Sequence, residues 1–137
     1  MNIRRLTEDD WTTLVEWWSA WPKWKSPTKE LLPDQGKGGL IVEKENKPIV
    51  AGFIYLTNSK TALLEWIVSD PNYREDDRDV AIELLITGAE NIVKTMDYKY
   101  LFSVMQHKRL IETHKKLGVD RDWETALSLH LCHLLYN

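Results

Sequence analysis

The run TALLEWIVSDPNYREDDRDVAIELL, from Thr61 to Leu85, carries the information that decides the fold. It opens with bulky apolar residues, Ala62 to Val68, and stops at Ser69-Asp70-Pro71; a charged turn then leads to an amphipathic run starting near Asp79. The order is strand, turn, helix. In an α/β protein this unit aims a helix N-terminus, with its unpaired N–H groups and positive dipole end, at whatever lies beyond the strand's carboxyl edge. An anion site is expected there.

Upstream, Leu40-Ile41-Val42, a polar turn at Glu45-Asn46-Lys47, and Ile49 to Leu56 read as a β-hairpin, and Asn58-Ser59-Lys60 turns the chain into the strand at Ala62. Three strands joined by short turns predict an antiparallel meander. A bulge is expected at Gly52 in the central strand of the three. Downstream, Val80, Ile82, Leu84, Leu85, Ala89, Ile92, Val93 and Met96 form a broad helical stripe, and Tyr98 to Val104 alternates as a further strand. Strand, helix, strand in one sheet implies a right-handed parallel crossover. A second helix is expected over Lys108 to Leu117, closed by Gly118. The tail from Asp122 to Asn137 fits a strand by the alternation Thr125, Leu127, Leu129, Leu131, and a helix nearly as well by Leu127, Leu131, Leu134, Leu135.

At the N-terminus, Met1 to Leu6 alternates as a short first strand, and Thr7 with Asp10 three residues on occupies capping-box positions. Trp11, Leu14, Val15 and Trp18 then make an i, i+3, i+4, i+7 stripe, which Pro22 and Pro27 end by about Ala20 or Trp21. Five of the seven tryptophans fall between Trp11 and Trp24. Packing accounts for Trp17 and Trp18, while Trp21 and Trp24, in a proline-stiffened loop, cap a hydrophobic edge or wall a cleft. Thr28 to Leu32 reads as a short helix. Pro33 to Gly39 reads as a mobile loop, since its three glycines and one lysine lack the spacing of a phosphate loop.

At 137 residues the chain is expected to be a single domain, residues 1–137, and its 43% apolar and 28% charged content is ordinary for a globular protein. A net charge of −3 argues against a broad nucleic-acid footprint. Cys132 is the only cysteine, so no intrachain disulfide and no cysteine zinc cluster forms; His130 and His133 lack the further ligands a metal needs. No run approaches the ~20 apolar residues of a membrane span. The default is cytoplasmic, without metal, membrane or nucleic-acid partner.

Val68-Ser69-Asp70-Pro71-Asn72-Tyr73-Arg74 resembles the V-x-P-x-Y-R run of the GNAT superfamily of acyl-CoA N-acyltransferases, and Lys116-Leu117-Gly118-Val119 stands in that family's K-L-G-F place. Where the family continues R-G-x-G-x-G or A, this chain has Arg74-Glu75-Asp76-Asp77-Arg78-Asp79, with no glycine and four acidic side chains. The resemblance implies a mixed α/β (α+β) domain with a mostly antiparallel sheet of about six or seven strands, about four helices and an antiparallel pair of strands at the end. It also implies acetyl-CoA as co-substrate and a small-molecule or peptide amine as acceptor. The main chain of Trp66, Ile67 and Val68 would align pantetheine, and Tyr73, Arg74 and Arg78 would hold pyrophosphate. His114, by register from Gly118, would protonate the thiolate. Glu65 is the nearest carboxylate for a base, and Trp21 with Trp24 would face the acceptor. Small GNAT-like proteins of tailed phages share the compact length and tryptophan-rich loop, which would place the chain in a bacterial host cytoplasm. The alternative is a GNAT-shaped interaction or regulatory module, without catalysis, acting through its tryptophan surface. On either reading an exposed sheet edge and a tryptophan patch suit a homodimer.

Overall fold

The computed structural model describes residues 1–21, 25–105, 120–124 and 129–134. Strand β1 (Asn2–Arg5) leads through a 3-10 turn (Glu8–Asp10) into helix α1 (Trp11–Ala20). Strands β2 (Gly39–Lys44), β3 (Lys47–Leu56) and β4 (Thr61–Ser69) form the meander, helix α2 (Arg78–Thr95) follows, and β5 (Tyr100–Met105), β6 (Asp120–Glu124) and β7 (Leu129–Leu134) complete the sheet. Its order is β1-β2-β3-β4-β5-β7-β6. All neighbours are antiparallel except β4 and β5, which the α2 crossover joins in parallel.

The sheet has a core on each face because its strands alternate. Leu40, Val42, Val50, Leu64 and Ile67 pack with Ala81, Ile82, Leu85, Ile86, Ala89 and Val93 of α2. Ile41, Ala51, Phe53 and Val68 pack on the other face with Leu14, Trp17 and Trp18 of α1. Trp18 has no exposed surface; it stacks on Phe53 at 6.1 Å and meets Trp11 and Trp66 edge-on at 5.9 and 6.3 Å. Aromatic pairs of this kind add about 0.5–1.5 kcal/mol each beyond burial.

Several local expectations shift. The two-residue turn Glu45-Asn46, with φ of 53° and 65°, closes the hairpin, and Lys47 already pairs with Lys44. Thr28 to Leu32 holds only a single 3-10 turn, Lys29–Leu31, because Pro27 and Pro33 bracket it. The glycine run ends packed on the sheet: a Cβ on Gly39, the first residue of β2, would lie 2.1 Å from the Gly52 carbonyl oxygen. Two α-helices stand among the described residues, and the helix expected over Lys108 to Leu117 lies outside them. The C-terminal segment pairs as strands, β7 against both β5 and β6.

The capping box forms, and it does more than cap. Asp10 accepts the Thr7 N–H at 2.8 Å and a two-pronged contact from Arg4 at 2.9 and 2.8 Å, while Arg4 Nε reaches Glu43 at 3.2 Å. Asp10 is 6% exposed and Glu43 8%. The Arg4 hydrogen bond holds the Asp10 carboxyl below its ordinary range, against the opposing effect of burial. Protonating Asp10 therefore costs folding free energy, so its contribution is full above pH ~4 and is lost as pH falls further. Asp10→Asn is predicted to lower stability by about 1–2 kcal/mol at pH 7, discounted for the half-exposed Arg4, and to flatten the acid limb. Urea midpoints between pH 7 and pH 3 measure both; midpoints unchanged at pH 7 would contradict it.

Candidate functional site

One end of the sheet brings together the end of β4, the start of α2 and the end of α1. Pairing between β4 and β5 covers Thr61↔Tyr100, Ala62↔Leu101 and Leu63↔Phe102 and then stops. One further tie, from Ser103 Oγ to the Leu64 carbonyl at 2.8 Å, precedes the split. β4 runs on to Ser69 with, among the described residues, no strand on its β5-facing edge. This unpaired main-chain edge is the candidate cleft.

Within that stretch β4 carries an extra residue. Ala51 pairs with Val68 and Phe53 with Glu65, so Trp66 and Ile67 together face Gly52. The bulge belongs to β4, with Gly52 as its single partner. Trp66 has φ of 56°, a conformation that costs a bulky residue on the order of 1–3 kcal/mol. The T-shaped contact with Trp18 helps hold it. A Cβ on Gly52 would sit 3.2 to 3.3 Å from Leu64, Ile67 and Leu85, so the glycine also lets α2 close on the bulge. Ile67 and Val68 bury their side chains in opposite cores, leaving main chain at the cleft.

Beyond β4, the Asp70 side chain accepts the Asn72 N–H at 2.9 Å and the Asp70 carbonyl accepts the Tyr73 N–H at 3.2 Å, turning Tyr73 inward. The Tyr73 hydroxyl donates to Asp77 at 2.6 Å, and Lys44 Nζ, from the β2–β3 hairpin, holds the other Asp77 oxygen at 2.7 Å. Lys47 Nζ stands 5.9 Å from the Tyr73 ring centre. The hydroxyl expected to face phosphate is thus engaged within the protein. Asp77 occupies the N-cap position of α2 without making a side-chain cap, so the first-turn N–H groups carry no side-chain acceptor from it. Arg78 donates to Ser69 Oγ and lies 5.9 Å from the ring of Trp21, whose Nε1 donates to the Ser69 carbonyl at 3.2 Å. Arg74 is exposed in the same turn.

Glu65 of β4 stands opposite Phe53 of β3, on the α1 face. Tyr55 shares that face and donates to the Leu31 carbonyl at 3.1 Å; burial, and secondarily the charge of Glu65, raises its phenol above the ordinary value. Of the expected site residues, Trp21 and Arg78 meet at Ser69, Tyr73 and Arg74 stand in the turn beyond it, and Trp66, Ile67 and Val68 form the strand leading to it, whereas Glu65 lies on the α1 face before the bulge and His114 and Trp24 lie outside the described residues. Sequence reading misses Lys44 and Asp77 as a pair, since 33 positions separate them. The i, i+4 spacing of Tyr73 and Asp77 is the only local signal.

The hydrogen bond to Asp77 is the main reason the Tyr73 phenol is raised above its ordinary value. Ultraviolet titration, with Tyr73→Phe subtracted, is predicted to show that phenol ionising above pH ~10 in the wild type and at lower pH in Asp77→Asn. Identical titrations in both would contradict the pairing.

No protein-family model matches the sequence, and no curated protein sequence matches it. Solved structures do match its fold. The ribosomal-protein-S18-alanine N-acetyltransferase of Escherichia coli superposes with a TM-score of 0.76 at 13% identity, over 98% of this chain and 93% of that one. A GNAT superfamily phosphinothricin acetyltransferase of Sinorhizobium meliloti, in complex with acetyl-CoA, gives 0.75 at 12% identity over 98% and 88%. The N-acetylglutamate synthase of Neisseria gonorrhoeae, complexed with coenzyme A and N-acetyl-glutamate, gives 0.79 at 12% identity; this chain spans 99% of itself and 35% of the synthase. The fold is that of the GNAT N-acetyltransferases.

Proposed function

We propose that the protein is an N-acyltransferase carrying an acetyl group from acetyl-CoA to an amine of a small molecule or peptide. The observation that carries this reading is the coincidence of the split β4–β5 edge, the Trp66 bulge and the start of α2 at one point. An extended pantetheine pairs with strand main chain and needs an unpaired strand edge; a pyrophosphate needs N–H groups and cations. The cleft end offers both. The fold neighbours solved with coenzyme A or acetyl-CoA support the same assignment.

In the absence of a glycine loop, Arg74 and Arg78 supply cationic donors, and Lys44 offsets the charge of Asp77 at the N-cap, while Asp79 stands in the first turn. The amine attacks the thioester carbonyl, its proton passes to Glu65 directly or through water, and the departing thiolate takes a proton from His114. The reading assigns the apolar side of the acceptor site to Trp21, with Trp24 carried over from the sequence alone. A non-catalytic interaction module is the second reading, favoured by Glu75 and Asp76, which stand exposed in the turn that glycines occupy in the family pattern.

Calorimetry separates the two. The reading predicts micromolar acetyl-CoA binding that weakens with salt and falls at least about tenfold in Arg74→Ala plus Arg78→Ala, and a several-fold gain in Asp77→Asn as one negative charge leaves the site. Absence of binding at millimolar acetyl-CoA would overturn it in favour of the module.

A further inference from the structure

The end of the sheet opposite that cleft holds a cavity of about 420 Å³, within the range of small-molecule sites. Its floor is apolar: Leu40 and Ile54 from β2 and β3, and Ile92 from the last turns of α2. Leu56 and Met96 continue the lining and are 49% and 48% exposed, a large apolar surface for two neighbours on one rim to leave in water. Arg5 and Lys37 line the same cavity. Both are exposed, and among the described residues neither forms an ion pair. Asp34 is the one acidic residue in the lining, which leaves a single net positive charge there; Glu8, already paired with Lys29, acts on Lys37 from outside it.

The rim is tied to the sheet. Asp34, Gln35 and Gly36 all have positive φ, 50°, 54° and 87°, an arrangement that costs free energy at the two non-glycine positions and persists only where packing fixes it. Gly38 N–H donates to the Pro33 carbonyl at 2.9 Å and the Gly38 carbonyl accepts from Ile54 N–H at 2.9 Å, so the segment bearing Lys37 is tied to β3. A preformed apolar floor with unpaired cations at its edge binds without paying the cost of ordering a loop.

We propose that this cavity is a binding site for a small amphipathic monocarboxylate, its apolar chain along Leu56 and Met96 and its carboxylate held by Arg5 and Lys37. The apolar lining selects for a chain, the unpaired cations for an anion, and Asp34 against a second negative charge on the ligand. The site is separate from the acyl-transfer cleft and does not depend on that function.

The test titrates the full chain, carrying methyl-labelled methionine, with sodium octanoate, sodium acetate and octylammonium chloride, following the Met96 methyl signal. Octanoate is expected to bind saturably at one site and shift that signal, with acetate and octylammonium each at least about tenfold weaker. Arg5→Ala plus Lys37→Ala, two exposed positions whose loss leaves the core intact, is expected to weaken octanoate by about tenfold or more while leaving acetyl-CoA titrations unchanged. No saturable shift with octanoate, equal binding of octylammonium, or octanoate affinity unchanged in the double variant would each overturn the proposal.

Discussion

One extra residue in β4 sets the geometry of everything around it. Because Trp66 and Ile67 together face Gly52, the strand changes direction halfway along, and side chains before and after the bulge change their alternation. Leu64 and Ile67 both reach the α2 face across that break, while Glu65, Trp66 and Val68 serve the α1 face. The strand's last pair with its parallel partner, at Leu63, stands three residues before Trp66. The left-handed Trp66 is costly, and its ring, edge-on to Trp18, helps hold it there. The α1-face aromatic core therefore positions the main chain that lines the cleft.

Electrostatics at the cleft end follow from a second long-range contact. A turn with four carboxylates in six residues repels an anion unless some of that charge is cancelled. Lys44 and Tyr73 both bind Asp77, and the Lys44 hydrogen bond is the main reason its carboxyl is held below the ordinary range. Arg78 is steadied on the end of β4 through Ser69 and on the ring of Trp21. The tryptophan at the end of α1 thus ties three elements to one corner, and cation, helix start and strand edge meet there.

Much of the fold is legible in local pattern. The meander shows because β2, β3 and β4 are short apolar runs parted by polar turns, and α2 because its buried residues recur at helical spacing. The core role of Trp18 follows from its place on the α1 stripe, whereas Gly52 predicts a bulge in its own strand and the extra residue stands opposite it in β4. What is not legible is pairwise and distant. Nothing local says that Gly39 must pack on the Gly52 carbonyl, which fixes the end of an apparently loose glycine run. Nothing local joins Lys44 to Asp77, or says that the Tyr73 hydroxyl turns inward. The tail pairs as strands because β7 finds edges on both sides, a tertiary choice between two patterns its leucines serve equally.

The central claim is that acetyl-CoA lies along the β4 edge with its pyrophosphate at the start of α2. Amide chemical shifts of the uniformly labelled protein, titrated with acetyl-CoA and with desulfo-coenzyme A, test it most directly. The account predicts the largest changes at residues 66–68 and 78–81 with both ligands, because both carry the pantetheine and pyrophosphate that the main chain contacts. Shifts confined to other parts of the sheet, or no shifts at saturating ligand, would contradict it.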